Sequence, residues 1–91
     1  MTKEEFIEQY ELEDSVVLLE PWDEFSGGIV GVTEDRCHVI YGYNALVESL
    51  SKAWNSDPQD AIEWIDFNTI RQLPYMPEST RPIIMEEIND L

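Results

Sequence analysis

Residues 29–41, IVGVTEDRCHVIY, decide the fold class of this chain, because they form two strand-like runs joined by a short polar segment. Residues 29–32 and 37–41 are rich in β-branched and aromatic side chains, which favour strands. Residues 33–36 lack the Asn-Gly or Asp-Gly pair of a two-residue turn, so a loop of about three to five residues is expected. The sequence therefore predicts a β-hairpin in the first half of the chain.

One helix is predicted before this hairpin and two after it. Thr2 and Glu5 have the spacing of a capping box, Asn44 is a suitable N-cap, and Asp57 followed by Pro58 gives a third helix start. Apolar residues recur at helical spacing after each start. The predicted helices cover residues 3–11, 44–54 and 58–73.

The third predicted helix has an irregular pattern. Phe67 and Ile70 fall within an arc that is otherwise polar. Either the helix bends near Phe67 and Asn68, or it is buried on two sides. Pro74 ends it, because a proline disfavours the helical conformation of the residue before it.

Two further strands complete the predicted order α-β-β-β-α-α-β. They are SVVLLE at residues 15–20 and PIIM at residues 82–85. This order predicts a single small α+β domain, with an antiparallel sheet and with helices packed mainly on one face. Within it we expect an acidic N-terminal helix over residues 1–14, a core over residues 15–85 and a polar tail over residues 86–91.

The chain carries 20 acidic side chains against five basic ones, a formal net charge of −15. Nine carboxylates and one base, Lys3, lie in residues 1–24. Such a charge repels nucleic acid and anionic membranes and attracts basic surfaces. We therefore expect a protein partner with a basic surface, and neither direct nucleic-acid binding nor a membrane.

Cys37 is the single cysteine, so no disulfide forms within the chain. The first residues lack the pattern of a signal peptide, and no apolar run has the length of a membrane span. These features predict a cytoplasmic protein.

The sequence predicts no catalytic, cofactor-binding or metal-binding residues, and we expect no enzyme activity. Cys37 and His38 are neighbours on a strand and point to opposite faces, so they do not form a nucleophile–base pair. Gly27 and Gly28 are too sparse for a phosphate-binding loop. Acidic residues recur at every third position of the third helix. At this spacing successive side chains spiral around the helix axis instead of converging, so we interpret them as a cap and a solvated face. They are Asp57, Asp60, Glu63 and Asp66.

The role of Arg71 has two interpretations. Arg71 pairs with a nearby acid or carbonyl in a structural role, or it anchors a partner's carboxylate on an exposed patch with Phe67, Ile70 and Tyr75. Aromatic side chains beside an arginine are typical of interface hot spots.

The stretch AIEWIDFNTIRQLPYM at residues 61–76, followed by PIIM at residues 82–85, resembles a set of small hypothetical proteins of gut Clostridia-type bacteria and their phages. Those proteins share an acidic N-terminal part, a hairpin and this ending. The resemblance covers about residues 15–85, implies a phage or mobile-element origin and brings no activity. It makes Asn68, Thr69, Arg71, Pro74 and Tyr75 the first positions to test.

The leading functional hypothesis is a non-enzymatic protein–protein interaction module. It would bind a basic, nucleic-acid-handling protein, as a DNA mimic or inhibitor does. The alternative is a self-associating structural module, a homodimer, in which the acidity serves solubility. The candidate interaction residues are Glu4, Glu8, Glu11, Glu13, Asp14, Phe67, Ile70, Arg71 and Tyr75.

Overall fold

The computed structural model describes residues 1–88 and confirms the α+β class. The four α-helices are α1 (Lys3–Gln9), α2 (Trp22–Phe25), α3 (Tyr43–Trp54) and α4 (Pro58–Trp64). The three strands are β1 (Ile29–Val32), β2 (Val39–Gly42) and β3 (Ile83–Met85). A π-helix (Ile65–Ile70) continues α4, and 3-10 turns occupy Ser26–Gly28 and Leu73–Tyr75. The predicted tail begins as irregular structure at residues 86–88, and its last three residues lie outside the described range.

The predicted hairpin is confirmed, but the sheet is mixed rather than antiparallel. β1 and β2 pair antiparallel, and the Thr33 N–H donates to the His38 carbonyl at 3.0 Å to close the loop. β3 lies on the other side of β2 and runs parallel to it. A parallel neighbour needs a long crossover, and here α3, α4 and the π-helix provide it.

The predicted strand at residues 15–20 is wrong. This segment is not part of the sheet, although Leu18 and Leu19 are buried in the core. Its backbone N–H groups make isolated hydrogen bonds instead of the regular hydrogen-bond ladder of a sheet. The Val17 N–H donates to the Thr80 carbonyl at 3.1 Å, and the Leu19 N–H donates to the Tyr41 hydroxyl at 3.0 Å. Burial raises the pKa of Tyr41 to about 12, so its hydroxyl stays neutral at physiological pH.

The sheet has one covered face and one open face. Val39 and Tyr41 are fully buried, and α3 packs against them through Leu46 and Leu50. Because side chains alternate along a strand, the register places a second set on the opposite face. The side chains of this second set are partly or largely exposed, and we call the set the open face: Ile40, Ile83 and Met85.

The predicted Asn44 cap is wrong, because the N-cap of α3 is Gly42, two residues earlier, and it has no side chain. Glu87 supplies the cap from the far end of the chain. Its two carboxylate oxygens accept hydrogen bonds from the backbone N–H groups of Asn44 (2.9 Å) and Ala45 (3.0 Å). A Cβ at residue 42 would overlap this carboxylate, so glycine leaves room for the Glu87 cap. These hydrogen bonds lower the pKa of Glu87.

The irregularity predicted near Phe67 and Asn68 falls within the π-helix Ile65–Ile70. Burial on two sides is wrong, because the Phe67 side chain is 61% exposed. The Asn68 side-chain amide donates to the Trp64 carbonyl at 3.1 Å, which occupies an acceptor in the widened turn. The start of α4 is as predicted, with Asp57 capping the Gln59 N–H and Pro58 at the first position.

Candidate interaction surfaces

The five N-terminal candidate carboxylates lie on α1 and the loop that follows it. All five are exposed, and none of them is among the ion pairs found in residues 1–88. The single nearby base in the sequence, Lys3, is engaged by Glu20. We call this set the acidic surface: Glu4, Glu8, Glu11, Glu13 and Asp14.

The turn of the hairpin brings more negative charge to the acidic surface. The Glu13 N–H donates to the Arg36 carbonyl at 2.9 Å, which places the hairpin turn beside the loop after α1. The turn carries Glu34, Asp35 and the base Arg36, so it adds one net negative charge. Asp35 accepts hydrogen bonds from the Thr33 hydroxyl and the Cys37 N–H, and these lower its pKa. Charge counted along the chain does not reveal this contribution, because residues 25–56 are less acidic than residues 1–24.

α1 ends at Gln9 instead of the predicted residue 11, and Glu11 follows its C-cap in an unfavourable conformation. Its φ is 53°, in the left-handed region that glycine usually occupies at this position. The bonds Glu11 N–H to Glu8 carbonyl (3.2 Å) and Leu12 N–H to Ile7 carbonyl (3.0 Å) form a Schellman motif. Its negative charge also faces the negative end of the helix dipole. Both features oppose stability at a position that carries one of the exposed carboxylates.

Arg71 stacks on the aromatic ring of Phe67. Its guanidinium carbon lies 4.7 Å from the centre of the Phe67 ring, and no ion pair within residues 1–88 includes Arg71. Tyr75 is 86% exposed, and no aromatic pair of the described residues joins it to Phe67. The structure therefore brings together Arg71 and Phe67, and leaves Tyr75 projecting from a separate turn.

Ile70 borders the sheet, in a groove that Phe67 does not line. It lines this groove of about 430 Å³ together with Leu73, Ile84 and Met85. Met85 is also part of the open face, so the exposed apolar surface continues from the π-helix to β3. The sequence signal for this continuity is the alternation of Ile83, Ile84 and Met85, in which the partly buried Ile84 separates two exposed neighbours.

Cys37 and His38 have separate partners. The His38 ring nitrogen Nδ1 lies 2.9 Å from the Arg81 carbonyl, and the Cys37 Sγ lies 3.4 Å from the Asp35 carbonyl. Burial, and then the carboxylates of Asp35 and Glu13, raise the pKa of the Cys37 thiol. A raised pKa makes a thiol a poorer nucleophile at neutral pH.

Gly28 serves packing. Its position is buried, and a Cβ there would overlap the Leu46 side chain of α3. Within residues 1–88, no three His, Cys, Asp or Glu side chains converge as metal ligands would. The same residues contain no helix that is both long and apolar enough to cross a membrane.

Comparison with protein-family models, with curated proteins and with solved structures found no match to this chain.

Proposed function

We propose that this chain is a non-enzymatic binding module that holds a basic protein on its acidic surface. The partner class that fits best is a nucleic-acid-handling protein, because such a protein presents a basic surface shaped for phosphates. Carboxylates held on that surface compete with nucleic acid, so the module would act as a mimic or an inhibitor.

Glu11 is the observation that carries this proposal. A glutamate with positive φ at the negative end of a helix lowers stability in two ways. Residues that break local rules without a structural benefit are characteristic of functional sites. Glu11 forms no ion pair within residues 1–88, so its carboxylate is free to meet a base from outside.

A competition assay tests the proposal. The probe is a lysine- and arginine-rich peptide bound to a short DNA duplex, and the chain is added at low salt. We expect the chain to displace the DNA. We expect a variant that combines Glu8→Gln, Glu11→Gln and Glu13→Gln to require roughly tenfold more protein, about 1.4 kcal/mol of binding free energy.

The matched control removes the same amount of charge from other exposed positions. It combines Asp60→Asn, Glu63→Gln and Glu78→Gln. We expect this control to compete nearly as well as the unchanged chain, because these carboxylates lie outside the acidic surface. If the two variants lose the same amount of activity, total charge and not the acidic surface drives binding, and the proposal fails.

Self-association is a second candidate function, and the exposed apolar surface of Phe67, Ile70 and Met85 favours it. Sedimentation of the chain and of Phe67→Glu distinguishes the two candidates. A self-associating module predicts a dimer that Phe67→Glu dissociates. Monomers in both samples, across concentrations up to about 100 μM, would leave the basic partner as the supported function.

The proposed setting is the cytoplasm of a phage host or of a bacterium that carries a mobile element. The single cysteine, Cys37, which forms no disulfide within the chain, supports a reducing compartment. The resemblance of residues 61–76 and 82–85 to phage-associated proteins supports the origin.

A further inference from the structure

An apolar groove runs between α1 and β1, one of the two edge strands of the sheet. Its volume is about 480 Å³. One wall is aromatic: the Phe6 ring lies 5.4 Å from the Trp22 ring and 5.0 Å from the Tyr10 ring, centre to centre. The other wall is β1, with Val30 and Val32. The groove therefore offers apolar contacts directly beside the acidic surface.

β1 is a short edge strand that lacks two of the usual protections against pairing, charge and proline. Its residues Ile29–Val32 include no charged side chain and no proline, which are the common protective features of exposed edges. A bulge between Ile29 and Gly31 interrupts regular pairing at its first residues. The Thr33 N–H bonds to His38, so by alternation the N–H and carbonyl of Val32 point away from β2.

The charge around the groove selects a basic occupant. Every residue that lines it lies within residues 1–32, and that segment holds nine carboxylates and a single base, Lys3. Lys3 is itself paired with Glu20. A strand that enters the groove therefore meets apolar walls within a negative field, which attracts lysine and arginine side chains.

We propose that β1 accepts an extended segment of the partner protein in which basic and apolar residues alternate. The segment adds to the sheet at Val32, places its apolar side chains in the groove against Tyr10 and Val30, and turns its basic side chains toward the acidic surface. This mode combines backbone hydrogen bonds with pockets for alternate side chains. The inference rests on the proposed function and names the form of the partner that the module binds.

A second copy of this chain is a poor occupant of the same edge. Pairing two β1 edges would bring two acidic surfaces together, and like charges in an interface oppose association. A basic segment gains from the same field.

The test uses two peptides of about ten residues. In one, lysine and arginine alternate with valine and isoleucine; in the other, the same residues are separated into a basic half and an apolar half. We expect the alternating peptide to bind about tenfold more tightly in titration calorimetry. We also expect it to slow deuterium exchange at the Val32 amide, because that N–H would become hydrogen-bonded.

Val30→Glu distinguishes binding in the groove from electrostatic attraction alone, because it adds negative charge and removes an apolar contact. Val30 is 46% exposed, so the change is made at the surface. We expect Val30→Glu to abolish the preference for the alternating peptide. The matched control Tyr75→Glu adds the same charge at an exposed apolar residue outside the groove and should keep that preference. If Val30→Glu does not fold, Tyr10→Ala replaces it, with the same expected loss.

Three results would overturn the inference. Equal affinity for both peptides, with tighter binding by Val30→Glu, would mean that charge alone acts, and the acidic surface would remain the binding site. No binding of either peptide at low salt would reject the proposed function as well. A dimer of the free chain that Val30→Glu dissociates would assign the groove to a second copy.

Discussion

At the scale of one residue, Glu11 lowers the stability of the fold but carries a carboxylate of the proposed binding surface. The left-handed conformation costs a residue with a side chain roughly 1–2 kcal/mol, and glycine avoids this cost. The Schellman bonds at the end of α1 fix that conformation. The fold gives no reason for a carboxylate at this position, and the proposed binding would supply one.

Replacing Glu11 by glycine should raise stability and weaken binding. We expect Glu11→Gly to increase the free energy of unfolding by up to about 1 kcal/mol, because it relieves the backbone and removes charge from the helix end. Glu11→Gln removes the charge but keeps the strained backbone, so it should be less stable than Glu11→Gly. Urea denaturation measures both. Equal stability of the two variants would show that the backbone at residue 11 is not strained.

At the scale of elements, the start of α3 depends on a residue 43 positions away. Glu87 satisfies two backbone N–H groups that Gly42, as N-cap, cannot reach with a side chain. It also brings a negative charge to the positive end of the α3 dipole. The residues after β3 therefore stabilise the helix that follows β2, and they join the two ends of the crossover.

We expect Glu87→Ala to lower the melting temperature and to speed hydrogen exchange at the Asn44 and Ala45 amides. The neighbouring exposed Glu86→Ala is the matched control and should leave both unchanged. Glu87→Gln keeps oxygen acceptors but loses the charge, so its melting temperature should lie between those of Glu87→Ala and the unchanged chain. Normal exchange at Asn44 in Glu87→Ala would contradict the cap.

Local signals predicted the elements whose causes are local. Thr2 with Glu5, and Asp57 with Pro58, mark their helix starts because each pair acts within one helical turn. The start of α3 was missed because Glu87 is remote in sequence. Residues 15–20 resemble a strand in composition, yet burial of Leu18 and Leu19 explains the same apolar run without sheet pairing.

The candidate surfaces were predicted in part for the same reason. The carboxylates of α1 follow from helical spacing, and their exposure agrees with it. Stacking of Arg71 on Phe67 joins residues four apart, which neighbouring turns of a helix bring together. The groove between α1 and β1 depends on how two distant elements pack, and no local pattern encodes that.

For the whole molecule, the charge of −15 and the hydrogen-bonded carboxylates act in opposite directions as the pH falls. Self-repulsion between carboxylates weakens when they become protonated or when salt screens them. Glu5 and Glu87 have folded-state pKa values below their ordinary value of 4.5, because backbone N–H groups bond to their charged forms. Their stabilising contribution is present above pH 4.5 and is lost as the pH falls through the lower folded-state pKa.

We therefore expect the melting temperature to rise by several degrees with added salt at pH 7, and to rise on acidification to about pH 5. Below pH 4.5 it should fall, since Glu5 and Glu87 become protonated. Thermal unfolding followed by circular dichroism across pH and salt measures both effects. A melting temperature at pH 7 that does not respond to salt would show that repulsion does not limit stability.

The central claim is that the acidic surface binds a basic partner, and the salt dependence of binding tests it most directly. The measurement is the Kd of the chain for a lysine- and arginine-rich peptide between about 50 and 300 mM salt. We predict that affinity falls at least about tenfold over this range, and that the variant with Glu8, Glu11 and Glu13 changed to Gln shows a clearly shallower dependence. A Kd that does not change with salt, or an equal dependence in that variant, would contradict the claim.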